Sequence, residues 1–157
     1  MTSISGSIHR KEKPIVTMPH SPYMTLRLEL FVADIAVSRD FYTRVLNFSA
    51  DNQHNEGYTT LRQGTVVLSL NRRSALPGDH PIYVAAQERP GRGVEIVLEV
   101  DDVEARYAHV RGQGWPISPL QRQPWGLVDF RFSDPDGYYL RVTSKPSSMN
   151  ANNQYGL

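Results

Sequence analysis

The stretch LFVADIAVSRDFYTRVLNF, residues 30–48, changes periodicity at Asp34 and fixes the start of the fold. Up to that point Leu26, Leu28, Leu30 and Val32 alternate with Arg27, Glu29, Phe31 and Ala33, the period of a strand with one buried face. Asp34 stands where a helix N-cap belongs. Ile35, Ser38, Phe41, Tyr42, Val45 and Leu46 then follow at helical spacing, to a helix end near Asn47. Three strands are expected next, around 48–51, 58–62 and 65–70, with polar, glycine-bearing turns between them. The order is βαβββ.

The same order returns downstream. Ile96, Leu98 and Val100 mark a strand face, an Asp cap follows, and Val103, Tyr107 and Val110 mark a helix stopped by Gly112 and Gly114. Strands are expected at 115–120, 126–132 and 138–144, the last two joined by the turn SDPDG. VADI at 32–35 and VDDV at 100–103 stand 68 residues apart, so a duplicated module is the economical reading. The expected layout is an N-terminal arm (1–24), a domain (25–144) and a C-terminal tail (145–157). The domain consists of modules 25–71 and 93–144 joined by the proline-bearing connection 72–92.

Composition narrows the function classes. Seventeen basic and sixteen acidic residues leave a charge of +1, which gives no net attraction for nucleic acid or an anionic membrane. The absence of cysteine removes disulfides, thiolate metal sites and a cysteine nucleophile. No signal-like or membrane-length apolar run is present, so a soluble, cytoplasmic protein is expected.

Three blocks in order, LFVADIAVSRDFYTRVLNF (30–48), LEVDDVEARYAHVRGQG (98–114) and PWGLVDFRFSDPDGYYLRV (124–142), resemble the vicinal oxygen chelate superfamily of glyoxalases, bleomycin resistance proteins and extradiol dioxygenases. Where that family closes its first helix with LGF or LGV this chain has LNF, and Asn also tolerates the left-handed cap. The resemblance implies an α+β fold in which duplicated βαβββ modules form a curled, eight-stranded mixed sheet around a cleft. It also implies a homodimer, since the cleft is often assembled from modules of different chains.

The resemblance further implies metal ligands seven residues before Asp34, at the matching place before Asp102, and four residues after the glycine of DPDG. Those positions hold Arg27, Glu95 and Arg141; a fourth falls at or beside Leu68, next to Val67. Guanidiniums carry no lone pair to donate, so no metal and no cofactor is expected. His9, His20, His54, His80 and His109 read as surface histidines.

Alternation directs Arg27, Glu29 and Phe31 into the cleft, with Glu95, Val97 and Glu99 from the fifth strand and Tyr139 and Arg141 from the last. Arg27, Glu95 and Arg141 are expected to cluster at the cleft floor. Such a cluster either compensates its own charges or leaves one positive charge for an acidic ligand group. The Trp125-Gly126 pair resembles the bleomycin-type binders and offers a stacking face at the cleft mouth. Tyr58 and Trp115 read either as neighbours of that face or as core. The ligand-facing set is Arg27, Glu29, Phe31, Tyr58, Leu68, Glu95, Trp125, Tyr139 and Arg141.

The pattern is closest to the metal-free, bleomycin-resistance-like branch. The leading expectation is a metal-free protein that binds or sequesters an aromatic, antibiotic-like small molecule. The alternative is a metal-free isomerase, cyclase or epimerase with Glu95 moving the proton. A metal-dependent glyoxalase or dioxygenase-type enzyme comes third, and an accessory module with a vestigial cleft last.

Overall fold

The computed structural model of the chain describes residues 24–51 and 57–146. The expected arm and tail lie outside these residues except for Met24, Lys145 and Pro146, as do His9, His20 and His54. Strand β1 (Leu28–Val32) leads to α1 (Ile35–Asp40), which widens into a π turn (Phe41–Val45), and to β2 (Ser49–Ala50), β3 (Tyr58–Gln63) and β4 (Val66–Arg72). After a 3₁₀ turn (Arg73–Ala75) the connection reaches β5 (Ile96–Val100), α2 (Val103–Gly112), β6 (Gln121–Arg122), β7 (Val128–Ser133) and β8 (Tyr139–Ser144). They form two four-stranded mixed sheets, ordered β1-β4-β3-β2 and β5-β8-β7-β6. In each, the first strand runs parallel to the last and the remaining pairs are antiparallel.

Local chemistry accounts for the element ends. Asp34 accepts hydrogen bonds from the Ala36 and Val37 amides, and Asp102 accepts one from Ala105, satisfying the orphan donors of both helix starts. Asn47 takes φ 60°, the only positive φ outside glycine among the described residues, so LNF closes the helix with the left-handed turn that glycine would otherwise make. The Phe48 amide reaches back to the Tyr42 carbonyl at 2.9 Å, one residue further than an ordinary helix cap, because the π turn adds a residue. The strand expected at 115–120 is not there; β6 is only Gln121–Arg122. Pro116 and Pro119 have no amide to donate to a ladder. Ser118 instead meets β7 alone, donating its amide to the Arg131 carbonyl and accepting the Arg131 amide on its hydroxyl, each at 2.8 Å.

Both helices and one face of each sheet share a single core. Phe41 of the π turn lies 4.6 Å from Trp115 and 6.2 Å from Phe132 of β7, centroid to centroid. Arg106 and His109 of α2 bond the carbonyls of Leu46 and Arg44. Trp115 is thus core, its indole donating to the Ser133 carbonyl at 2.9 Å. With one face of each sheet committed to this core, the alternate side chains of the strands lie on the opposite face of each sheet.

The SDPDG turn fastens the two halves. Asp134 accepts the Tyr42 hydroxyl at 2.9 Å and the Asp136 and Tyr138 amides at 3.0 and 2.9 Å. Asp136 accepts from the Ala33 amide at 2.7 Å and the Ser38 hydroxyl at 3.1 Å. The Tyr138 hydroxyl bonds both the amide and the carbonyl of Phe31, each at 3.1 Å. No helix of the described residues is long and apolar enough to cross a membrane.

Candidate ligand-binding faces

The outer face of the first sheet carries Arg27, Glu29 and Phe31 from β1 and its approach, opposite Ser69 and Asn71 of β4 and Tyr58 and Thr60 of β3. Arg27 pairs with Glu29 at 2.9 Å, and Asn71 donates to the same carboxylate at 3.3 Å. The Tyr58 hydroxyl bonds Ser69 at 2.9 Å and Thr60 at 3.4 Å; these contacts hold its phenol below the ordinary value, with a smaller contribution from Arg27. An aromatic pair, an ion pair and three small polar groups therefore share one surface.

The outer face of the second sheet holds Glu95, with Tyr139 and Arg141 of β8 and Asp129 and Arg131 of β7. Glu95 meets Arg131 at 3.3 Å through one oxygen and Arg141 at 3.7 Å through the other. Arg131 also pairs with the buried Asp129 at 3.3 Å, and Gln123 donates to that carboxylate at 2.8 Å. Arg141 keeps its Nε enclosed with no hydrogen-bond partner. An enclosed donor of this kind is costly unless an acceptor arrives.

Several expectations change. Arg27, Glu95 and Arg141 do not form one cluster: Arg27 belongs to the first face and the other two to the second, and no hydrogen bond or ion pair among the described residues joins the two groups. The expected surplus of one positive charge disappears, because Arg27 pairs with Glu29 on the other sheet; Glu95 and Arg141 balance without it, and Asp129 and Arg131 add a second balanced pair. Leu68 is core, at 1% exposure, packed with its partners Leu28 and Leu61; Val67 is its neighbour on the outer side. Trp125 sits half exposed at the tip of the β6–β7 hairpin, where Gly126 at φ 92° makes the turn, and it makes no ring contact among the described residues. Asp129 and Arg131 were missed, although they alternate with the core residues Phe130 and Phe132 and could have been found by the same parity.

The residues do not fit a divalent cation. At the positions where a metal would sit, Glu95 is the sole donor and two guanidiniums already face it. Among the described residues no three His, Cys, Asp or Glu side chains converge as a ligand set.

Comparison with solved structures finds the same fold. A glyoxalase/bleomycin resistance protein/dioxygenase from Nocardioides is 22% identical, with a TM-score of 0.65 over 84% of this chain and 89% of that one. Lactoylglutathione lyase from Agrobacterium tumefaciens is 18% identical (TM-score 0.60, 79% and 95% covered), and TioX from Micromonospora sp. ML1 is 21% identical (TM-score 0.61, 78% and 98%). Comparison with curated protein sequences finds no significant match. The sequence profile of one superfamily matches residues 25–142 and thus spans both sheets. The chain belongs to the glyoxalase/bleomycin resistance protein/dioxygenase superfamily.

Proposed function

We propose that this chain is a cytoplasmic, metal-free binder of a planar aromatic small molecule, acting as a homodimer in which the first-sheet face of one copy and the second-sheet face of the other close on one ligand. The observation that carries this reading is that each sheet carries a set of aromatic and charged side chains on the face opposite the shared core. One offers Phe31, Tyr58 and the Arg27–Glu29 pair; the other offers Tyr139 and the Glu95, Arg131, Arg141 set with a vacant donor. Aromatic walls with a few fixed polar anchors are what a small-molecule site requires. Both oxygens of Glu95 are faced by guanidiniums, so it serves as an anchor that orients the arginines rather than as a mobile base. The superfamily's bleomycin resistance members support the ligand class, and bleomycin heads the panel of planar aromatic compounds to test.

In a tryptophan-fluorescence and calorimetric titration of that panel, saturable binding of at least one compound is expected, with the compound recovered unchanged. Tyr58→Ala and Arg141→Ala should each weaken it about tenfold or more, the usual cost of removing a central anchor. Recovery of a transformed product would establish the enzyme reading instead. Binding that ignores both substitutions would overturn the assignment of the faces.

A further inference from the structure

The segment joining the two sheets encloses space as well as connecting them. It returns across the gap between β1 and β5 and bounds with them a cavity of about 430 Å³, within the range of drug-sized ligand sites. Its walls are apolar: Leu28 and Leu30 from β1, Ile96 from β5, and Ile82, Val84 and Val94 from the joining segment. Specific contacts seat that segment. Arg89 donates from Nε to the Gly137 carbonyl at 2.6 Å and lies 5.4 Å from the Tyr139 ring centre, a cation–π distance. Gly91, at φ 68°, approaches the Tyr138 ring so closely that a Cβ would stand 2.7 Å from it. Tyr138 also borders the cavity and holds the backbone of Phe31, so the cavity lies along the seam between the two sheets.

Its charges are unbalanced. Arg73, Arg89 and Arg92 line it, against Glu29 and Glu88. Glu29 is already paired with Arg27, while no guanidinium of the three has an ion-pair partner among the described residues. Three guanidiniums against one uncommitted carboxylate leave two positive charges in excess beside an apolar wall. We propose that this cavity, which adjoins the first outer face at Glu29 and Phe31, is a second ligand site for an apolar organic acid whose hydrophobic body fills it and whose acidic group is held by the lining arginines. A ligand there touches β1, β5 and the joining segment together, and so stiffens the seam that positions Phe31 and Tyr139.

Two naphthalene dyes of similar size test this on the full chain, anilinonaphthalene sulfonate with an acidic group and N-phenyl-1-naphthylamine without one. The sulfonate is expected to bind saturably at one molecule per chain, about tenfold more tightly than the neutral dye. Val94→Glu, at an exposed wall position, should weaken both dyes tenfold or more, and Arg73→Gln with Arg92→Gln should weaken only the sulfonate. Val97→Glu, exposed but outside the cavity, should change neither. Loss in Val97→Glu with retention in Val94→Glu would place the dye on an outer face and overturn the site. Equal affinity for the two dyes, or no response to the arginine substitutions, would overturn the ligand class.

Discussion

Asp134→Ala is expected to cost about 2–4 kcal/mol of folding stability, whereas Asp134→Asn should cost nothing at neutral pH and even stabilise. The Asp134 carboxylate is nearly fully buried and accepts three hydrogen bonds, from the Tyr42 hydroxyl and the Asp136 and Tyr138 amides. Alanine strands all three donors, and a buried unsatisfied donor costs about 1–3 kcal/mol. Asparagine keeps an acceptor for the two amides and offers its NH₂ to the oxygen of Tyr42. It also removes a charge that the fold disfavours: burial, helped by the Asp136 carboxylate, lifts Asp134 from an ordinary 3.8 to about 6. Burial and the adjoining Asp134 carboxylate push the Tyr42 phenol well above its usual range, so it remains a donor throughout. A carboxyl raised in the folded state contributes stability that is fully present below about pH 4 and lost as pH rises through 6. Denaturant melts should therefore find the wild type and Asp134→Asn alike near pH 4. The variant should gain on the wild type by about 2–3 kcal/mol by pH 7. A constant gap across that window would contradict the buried, ionisable clamp.

Phe41→Ala should cost about 3–5 kcal/mol, among the largest single losses in the chain. The ring is 1% exposed and lies at the meeting of the halves, edge-on to Tyr42 at 5.0 Å, tilted on Trp115 at 4.6 Å and near Phe132 at 6.2 Å. Removing it opens a cavity that the first helix, the second sheet and the Trp115 segment all border, so no one element can relax to fill it. Phe41→Leu keeps most of the volume and should lose much less. Because the ring joins both sheets, one cooperative transition should shift as a whole in the alanine variant. Two separate transitions, with only the first sheet destabilised, would show that the halves do not share a core.

The fold was legible because two periodicities met at caps that recur. β1 and β5 repeat at the offset of 68 first seen in VADI and VDDV, Leu28 to Ile96 and Val32 to Val100, with Asp34 and Asp102 capping both helices. Where backbone donors were missing, at Pro116 and Pro119, the alternation-like reading of a strand failed. The π turn left no trace, since it changes the backbone without changing which residues are apolar. At the site, parity placed Arg27, Glu29, Tyr139 and Arg141 on outer faces, but a one-residue uncertainty after Gly64 put Leu68 there, and a single slip moves a side chain to the opposite face. The charge expected of the cluster was wrong for a different reason. It was counted over three positions suggested by resemblance, but Arg27 pairs with Glu29 on the other sheet, and Glu95 and Arg141 balance without it; which sheet a residue joins is set by strand pairing, which parity does not give.

That the two outer faces are halves of one cleft, closed by a second copy, can be tested without knowing the ligand. The chain has no cysteine, so one can be placed at Arg27 in one preparation and at Glu95 in another without background. Treated with a short bismaleimide, the mixture of the two variants should give a covalent species of twice the chain mass that neither variant gives alone to the same extent. A chain carrying both substitutions should cross-link between copies rather than within itself. A mixture that stays at the mass of one chain, or a double variant that closes only on itself, would contradict the shared cleft.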